Sequence, residues 1–159
     1  MRLRKLEEKD APLMLEWMHD DSVVHYMQAD FASKTIDDCR AFIRAAQDTS
    51  ENMHLAIVDD HDEYMGTVSL KDIHDGLAEF AITIRKCAMG KGFSSWAMKE
   101  IIKRGKDMGL NKIYWCVSKE NKRAIRFYDK NRYTRIPSAP NNLGGYTEEQ
   151  VKNMFWYMV

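Results

Sequence analysis

Two glycines one residue apart, at the start of a long helical pattern, are the residues best suited to binding a phosphate group. The chain reads Cys-Ala-Met-Gly-Lys-Gly from Cys87 to Gly92, after a strand pattern. Glycines allow close approach of the main chain, and the free N–H groups of a first helical turn bind phosphate oxygens. We therefore expect a main-chain anion site here, with an ordinary strand-to-helix turn as the alternative. Its residues are Met89, Gly90, Lys91, Gly92, Phe93 and Ser94.

Neither of two common phosphate motifs accounts for this loop. The chain has no Gly-x-x-x-x-Gly-Lys-Ser/Thr pattern, and Ser95 stands where a dinucleotide fingerprint has its third glycine. The strand pattern before the loop belongs to a predicted hairpin, which also differs from the parallel start of a dinucleotide fold. A nucleotide-binding regulator that uses ATP or NAD is therefore disfavoured.

A carboxylate in the middle of a predicted strand is the best candidate for a general base. Glu79 lies between Ala78 and Phe80, and an acidic residue is poorly suited to a buried face. A carboxylate held there can accept a proton directly or through water. The alternation of the strand leaves a second interpretation open, in which Glu79 lies on a solvated outer face with Ala81.

Hydrophobic periodicity predicts the elements that position these residues. Strand patterns cover residues 3–6, 54–58, 64–70, 77–84, 112–117, 133–136 and 154–159. Helical patterns cover residues 36–47, 93–108 and 121–131, and a further helix begins at Asp10. This order predicts helices packed on a mixed sheet, an α+β class close to α/β, in one domain over residues 1–159. The segment from Pro137 to Gly145 is predicted to be a loop.

Composition excludes several classes of function. The 159 residues include 24 Lys+Arg and 24 Asp+Glu, so no net charge favours nucleic acid or an acidic membrane as a partner. No apolar stretch approaches the roughly 20 residues of a membrane span, and no signal-peptide core follows the N-terminus, so the cytoplasm is the expected location. The 3 cysteines and 5 histidines have neither disulfide nor metal-ligand spacing, so no metal is expected.

A second motif supplies the context that the glycine loop lacks. The chain reads Asn-Lys-Arg-Ala-Ile-Arg-Phe-Tyr from Asn121 to Tyr128. With Gly90-Lys91-Gly92 upstream, this run resembles the GCN5-related N-acetyltransferase (GNAT) superfamily. The loop of that family reads Gln/Arg-x-x-Gly-x-Gly/Ala, and its later helix often reads Asn-x-x-Ala-x-x-x-Tyr followed by Gly-Phe.

The resemblance covers nearly the whole chain. Residues 2–6 and 78–82 look like the group that acts on ribosomal-protein N-termini and amino sugars. The resemblance implies a mostly antiparallel mixed sheet, splayed at the coenzyme site, with helices on both faces. Two departures weaken it: Cys87 stands where Gln or Arg is usual, and Arg132-Tyr133 replaces Gly-Phe. We expect Arg85 or Lys86 to compensate for the lost side chain at Cys87.

The resemblance also implies roles for individual residues. Acetyl-CoA would lie between the strands over 77–84 and 112–117, and its pyrophosphate would meet Met89 to Ser94. Asn121 would contact the pantetheine arm, and Tyr128 would stand near the thioester sulfur as a general acid, since a phenol can supply a proton to a departing thiolate. The alternative for Tyr128 is an ordinary core tyrosine. The main-chain groups that would pair with the pantetheine belong to Ile82, Thr83 and Ile84.

The acceptor is the least specified part of the predicted reaction. Trp17, His25 and Tyr26 are candidates to line its cleft, together with the loop from Asn141 to Tyr146. A small-molecule amine, including an amino-sugar nucleotide, and a protein N-terminus both remain open, as does a homodimer. A rival function is a catalytically silent acyl-CoA-binding or protein-interaction module with the same fold.

Overall fold

A computed structural model describes residues 1–47, 50–140, 143 and 145–159. Its strands are β1 (Arg2–Lys5), β2 (Met53–Val58), β3 (Tyr64–His74), β4 (Leu77–Ile84), β5 (Lys112–Ser118), β6 (Arg135–Ile136) and β7 (Met154–Met158). Its α-helices are α1 (Ala11–Met18), α2 (Asp21–Val24), α3 (Ile36–Ala45), α4 (Phe93–Asp107), α5 (Lys122–Lys130) and α6 (Glu148–Lys152). Short 3-10 turns occupy Glu8–Asp10 and Lys86–Ala88.

The described strands form one sheet in the order β1-β2-β3-β4-β5-β7-β6. Every neighbouring pair is antiparallel except β4 and β5, which run parallel. The tight turn between β3 and β4 uses Asp75 and Gly76, both with positive φ (49° and 76°), as two-residue hairpins of this type require. The predicted α+β class, with a mixed and mostly antiparallel sheet, is confirmed.

The parallel pair is short, and it divides the sheet. β4 and β5 pair only over Leu77–Glu79 and Lys112–Tyr114, three residues on each strand. Beyond these residues β4 continues to pair with β3, and β5 with β7. The strands therefore separate and leave a cleft between the end of β4 and the end of β5.

Helices cover both faces of the sheet, because side chains alternate along each strand. One face of β4 and β5, which includes Phe80 and Trp115, packs against α4 and α5 in the larger core. On the opposite face, Ala56 and Val58 of β2 pack against α1 and α3. Glu79 also belongs to that second face, which places it on the side of α1 and α3.

The sequence prediction missed three features. The short helices α2 and α6 were not predicted, since four or five residues carry too little periodicity to separate a helix from a loop. The strand predicted over 133–136 is wrong in length: only Arg135–Ile136 pair, because the chain leaves α5 through Arg132, whose φ is +63°. The predicted loop between Pro137 and Gly145 includes Asn141, Asn142 and Gly144, which lie outside the described residues.

Candidate functional site

The open edge of β4 presents unpaired main-chain groups to the cleft. The carbonyl of Gly76 accepts a hydrogen bond from Lys112 at 3.1 Å on the β5 side, whereas the N–H of Arg85 donates to Met65 at 2.8 Å on the β3 side. Because strand groups alternate with period two, the polar groups of Ile82 and Ile84 point into the cleft. The main chain of Thr83 points towards β3 instead, opposite Thr67.

A row of free amides lies at the end of this cleft, where the glycine loop enters α4. From Gly90 to Ser95, no main-chain N–H donates to another group among the described residues. Gly90 and Gly92 have positive φ (76° and 87°), so the chain curls and carries these amides into the first turn of α4. Such an array is suited to binding anions, and it includes Gly90 to Ser94 of the predicted pyrophosphate site. The N–H of Met89, the first residue of that prediction, donates instead to the carbonyl of Lys86 at 3.2 Å.

The expectation that Arg85 assists this anion site is wrong. Its guanidinium donates to the carboxylate of Glu16 at 2.7 and 3.1 Å, to Glu63 at 3.2 Å and to the carbonyl of Tyr64 at 3.1 Å. These contacts raise the pKa of Arg85, Glu16 most strongly. Its donors are thus occupied in joining α1 to β3. Lys86 is exposed, and it is the neighbour that remains able to meet a phosphate.

Tyr128 projects from α5 into the larger core beside the cleft. Its ring contacts those of Trp115 and Tyr157 at centroid distances of 5.4 and 5.1 Å. Its hydroxyl forms no hydrogen bond with the described residues, and burial raises the pKa of Tyr128, with a smaller contribution from Cys116 on β5. The phenol is therefore protonated at neutral pH and has a free donor. Asn121 begins the same helix, where its side-chain oxygen accepts from the N–H of Ala124 at 3.1 Å.

Glu79 is buried, so the interpretation as a solvated outer-face residue is wrong. Only 7% of the residue is exposed. Its Oε1 accepts a hydrogen bond from the hydroxyl of Tyr146 at 2.8 Å and lies 3.2 Å from Nζ of Lys71. The Sγ of Cys116 donates to the same hydroxyl at 3.6 Å. The result is an oriented carboxylate at the point where β4 and β5 begin to separate.

The thiol of Cys116, beside Tyr146 and Glu79, is inert. Burial raises the pKa of Cys116 to about 11, which keeps the thiol protonated and unreactive at neutral pH. Burial also raises the pKa of Tyr146, with contributions from Cys116 and Glu79. Tyr146 therefore stays a donor to the carboxylate.

A cavity of about 310 Å³ lies on the same face of the sheet as Glu79. Its apolar walls come from α1, α3, the loop between α2 and α3, and β4, and comprise Met14, Trp17, Met18, Phe31, Phe42, Ala81 and Ile82. Its polar lining comprises Lys34, Asp38, His54, Thr67, Ser69, Lys71 and Thr83. The cavity and the cleft share the segment of β4 around Ile82, so a molecule in one can meet a molecule in the other.

The three predicted acceptor residues are separated by the structure. Trp17 lines the cavity, donates through Nε1 to the hydroxyl of Tyr64 at 2.9 Å and packs edge-on against Phe31. His25 and Tyr26 lie just after α2, where both are exposed and contact each other at 4.7 Å between ring centroids. Neither of these two lines the cavity.

Sequence reasoning missed two residues of this site, Lys71 and His54, and named Tyr146 only as part of a loop that was expected to line the acceptor cleft. Lys71 lies in β3 just beyond Leu70, where the predicted strand stopped, and Tyr146 is remote in sequence from Glu79. The Nδ1 of His54 and the hydroxyl of Ser69 form a hydrogen bond of 2.7 Å between β2 and β3. This contact follows from the register, which places the two residues opposite each other. Burial lowers the pKa of His54, and nearby Lys71 lowers it further, so its imidazole is neutral at neutral pH.

Comparison with known proteins agrees with this geometry. The family described as acetyltransferase (GNAT) domain matches residues 1–134. An uncharacterized N-acetyltransferase p20 of Bacillus licheniformis is 30% identical over 133 residues, which cover 79% of this chain and 74% of that protein.

Solved structures show the same fold. Spermidine N-acetyltransferase from Vibrio cholerae, in complex with CoA and spermine, superposes with a TM-score of 0.81 at 19% identity over 99% of this chain and 94% of that one. A dodecameric structure of spermidine N-acetyltransferase from Vibrio cholerae, in an intermediate state, gives a TM-score of 0.73 at 18% identity over 99% and 92% of the two chains.

The fold and the site define an acyltransferase that uses acetyl-CoA. The chain belongs to the GNAT acetyltransferase family, as the glycine loop and the Asn121 to Tyr128 run indicated. The free amides after Met89 fit a pyrophosphate, and the open edge at Ile82 and Ile84 fits the amides of a pantetheine arm. In the part of the chain that the structure describes, no helix is long and apolar enough to cross a membrane. The same residues contain no group of three or more His, Cys, Asp or Glu side chains arranged to hold a metal ion.

Proposed function

We propose that this protein, as one domain over residues 1–159, transfers an acetyl group from acetyl-CoA to a primary amine by direct attack within a ternary complex. The observation that carries this proposal is the segment of β4 around Ile82, which borders both the amine-sized cavity and the coenzyme cleft. An amine bound in the cavity would reach the thioester without any acyl-enzyme, because the described residues at the junction include no activated nucleophile. Cys116, the nearest thiol, is kept protonated by burial.

In this proposal the coenzyme is held mainly by main-chain groups. The amides from Gly90 to Ser94 receive the pyrophosphate, and the main chain of Ile82 and Ile84 pairs with the pantetheine arm. The free amide nitrogen of Asn121 is left to donate to the same arm, since its oxygen caps α5. Thr83 contributes through its side chain on the cavity side. This division supports binding despite the replacement at Cys87, because main-chain donors do not depend on side-chain identity.

The proposed proton transfers involve two residues on opposite sides of the cleft. Glu79 takes one proton from the acceptor ammonium, directly or through water, and the neutral amine then attacks the thioester carbonyl. The main-chain N–H of Ile82 or Ile84 donates to the carbonyl oxygen as negative charge develops on it. As the carbon–sulfur bond breaks, Tyr128 donates to the thiolate, and the proton lost by the new amide nitrogen restores the phenol.

A small-molecule amine is the acceptor that the cavity supports best. A volume of about 310 Å³ is at the lower end of the range of small-molecule sites, about 300–1,000 Å³. It leaves little room for an amino-sugar nucleotide or for a folded protein's N-terminal segment. The Vibrio cholerae relative acts on spermidine, a small amine, and forms a dodecamer. We also propose self-association for this chain, of which the homodimer is the simplest case.

Substitution at the two proton-transfer residues tests the proposal. With acetyl-CoA and an accepted amine, Tyr128→Phe and Glu79→Gln should each lower kcat by about 10²–10⁴-fold, the usual contribution of general acid–base catalysis. Acetyl-CoA affinity, measured by calorimetry, should change less than threefold. Tyr133→Phe is a matched control, because Tyr133 packs edge-on against the same Trp115.

The outcomes separate the enzyme from its rival. Unchanged kcat in Tyr128→Phe would remove this tyrosine from the mechanism. Tight acetyl-CoA binding by the wild-type protein, with no thiol release on any amine, would instead identify a silent coenzyme-binding module.

A further inference from the structure

The charges around the acceptor cavity are balanced within the chain, which bears on the class of amine that it accepts. Asp38 is the carboxylate among the described lining residues, and it accepts hydrogen bonds from the N–H and hydroxyl of Thr35 at 2.8 and 3.1 Å. Lys34 also lies close enough to help lower the pKa of Asp38, after the Thr35 contacts. The charge of Asp38 is thereby compensated.

The carboxylate of Glu79, which lies opposite the lining residue Lys71 on the same face of the sheet, is compensated in the same way. Glu79 has Lys71 at 3.2 Å, and Lys71 itself lines the cavity. On α1, Glu16 is bound to Arg85. The described charged residues that line the cavity are two lysines, Lys34 and Lys71, and one carboxylate, Asp38, so this lining has no surplus negative charge. A polyamine carries a second ammonium that needs a carboxylate of its own.

The rest of the surface suits an apolar molecule. Trp17 and Phe31 meet edge to face at 5.1 Å, and Phe42 lies over His54 at 4.8 Å between centroids. Phe42 is 37% exposed although it is a large apolar residue, so part of its ring is free to contact a ligand. His54 adds a neutral imidazole to the same wall, since burial lowers its pKa.

From this lining we infer that the acceptor is a primary amine on an apolar or aromatic body with no second cationic centre, unlike spermidine. The inference rests on the proposed acetyl transfer and specifies its substrate class. Glu79 serves the single reacting amine, and the aromatic wall formed by Trp17, Phe31 and Phe42 binds the body. Lys34 and Lys71 disfavour a second ammonium.

A competition between two amines tests the inference. The wild-type protein is assayed by thiol release from acetyl-CoA with 2-phenylethylamine and with spermidine, and acetyl-CoA binding is measured separately by calorimetry. The expected result is a kcat/KM at least about tenfold higher for 2-phenylethylamine. Equal or better turnover of spermidine would overturn the inference and leave the proposed acetyl transfer intact. Turnover of neither amine, by protein that binds acetyl-CoA, would also overturn the inference. Only the absence of thiol release with every amine tested would overturn the proposed transfer as well.

Two substitutions locate the selectivity in this cavity. Phe42→Ala should lower kcat/KM for 2-phenylethylamine about tenfold, since it removes part of the aromatic wall. Met108→Ala removes another exposed apolar side chain, at the far end of α4, and should have less than a twofold effect. Lys34→Glu should raise kcat/KM for spermidine severalfold, whereas Lys130→Glu, on the exposed end of α5, should not. Equal effects within either pair would contradict the assignment.

Discussion

Gly66 on β3 supports the coenzyme wall of β4, and an added methyl group should disturb both stability and binding. A Cβ at Gly66 would overlap the carbonyl oxygen of Thr83 and lie 2.9 Å from the Cα of Ile84. Both atoms belong to a main chain that cannot rotate away as a side chain can. Overpacking of this kind costs about 1–3 kcal/mol, and a rigid backbone contact favours the upper part of that range, about 2–3 kcal/mol. For a chain of this size, Gly66→Ala should lower Tm by about 4–12 °C.

The same substitution should weaken coenzyme binding, because relief of the overlap pushes Thr83 and Ile84 towards the cleft. A tenfold weaker Kd would remove about 1.4 kcal/mol of ligand stabilisation, which thermal unfolding with and without acetyl-CoA detects. Gly105→Ala on α4 is the matched control, since its Cβ would meet only side-chain methyl groups, at 3.0–3.1 Å. A Tm for Gly66→Ala within 1 °C of wild type corresponds to a change of about 0.3–0.5 kcal/mol at most in the free energy of unfolding. Such a small change, together with an unchanged Kd, would refute the close support of β4 by β3.

Three further predictions concern the surroundings of the site. Tyr146→Phe removes the hydrogen bond to the Glu79 carboxylate. Because a hydrogen bond to a charged group contributes about 1.5–3 kcal/mol, kcat should fall roughly tenfold or more, and the KM for acetyl-CoA should stay constant. Arg85→Met should lower the free energy of unfolding by about 1–2 kcal/mol, a reduced value because its carboxylate partners are half exposed, and should leave the Kd for acetyl-CoA unchanged. Lys86→Met should instead weaken acetyl-CoA binding and leave the free energy of unfolding unchanged. The lowered pKa of His54 means that the unfolded chain takes up a proton near pH 6.5 more readily than the folded one, so stability should fall as pH drops through 6.5. That fall should be smaller in His54→Gln, as Tm measured between pH 7.5 and 5.5 will show, and parallel curves would contradict it.

Local sequence signals predicted the framework of this protein well. The helical pattern predicted over 36–47 begins where α3 does, at the Thr35 to Asp38 capping box, and the turn at Asp75-Gly76 joins the two strands of the predicted hairpin. The cleft also lies between the two predicted strands, because the glycine loop and the Asn121 run each mark the end of one of them. These signals need only neighbours in the chain, or a period that repeats over many residues.

The chemistry around Glu79 could not be predicted in the same way. Alternation along β4 left open whether the face that carries Glu79 is solvated, and only tertiary packing, which buries both faces of the strand, decides it. The partners of Glu79 are remote in sequence: Tyr146 lies 67 residues away, and Lys71 approaches through the hairpin register. The error over Arg85 has the same origin. Its position in the sequence, just before the predicted phosphate site, does not predict the ion pair with Glu16 on a distant helix.

The three-residue seam between β4 and β5 has a consequence for the lifetime of the protein. It joins a block of antiparallel strands from the first half of the chain to a block from the second half, and few main-chain bonds resist their separation. A ligand that lies along the open part of the seam bridges both blocks and stabilises the closed form by mass action. Opening at the seam should therefore be the first step by which proteases gain access, and it should become rarer as the coenzyme becomes more abundant. The half-life of this enzyme would then follow the supply of the molecule that it consumes.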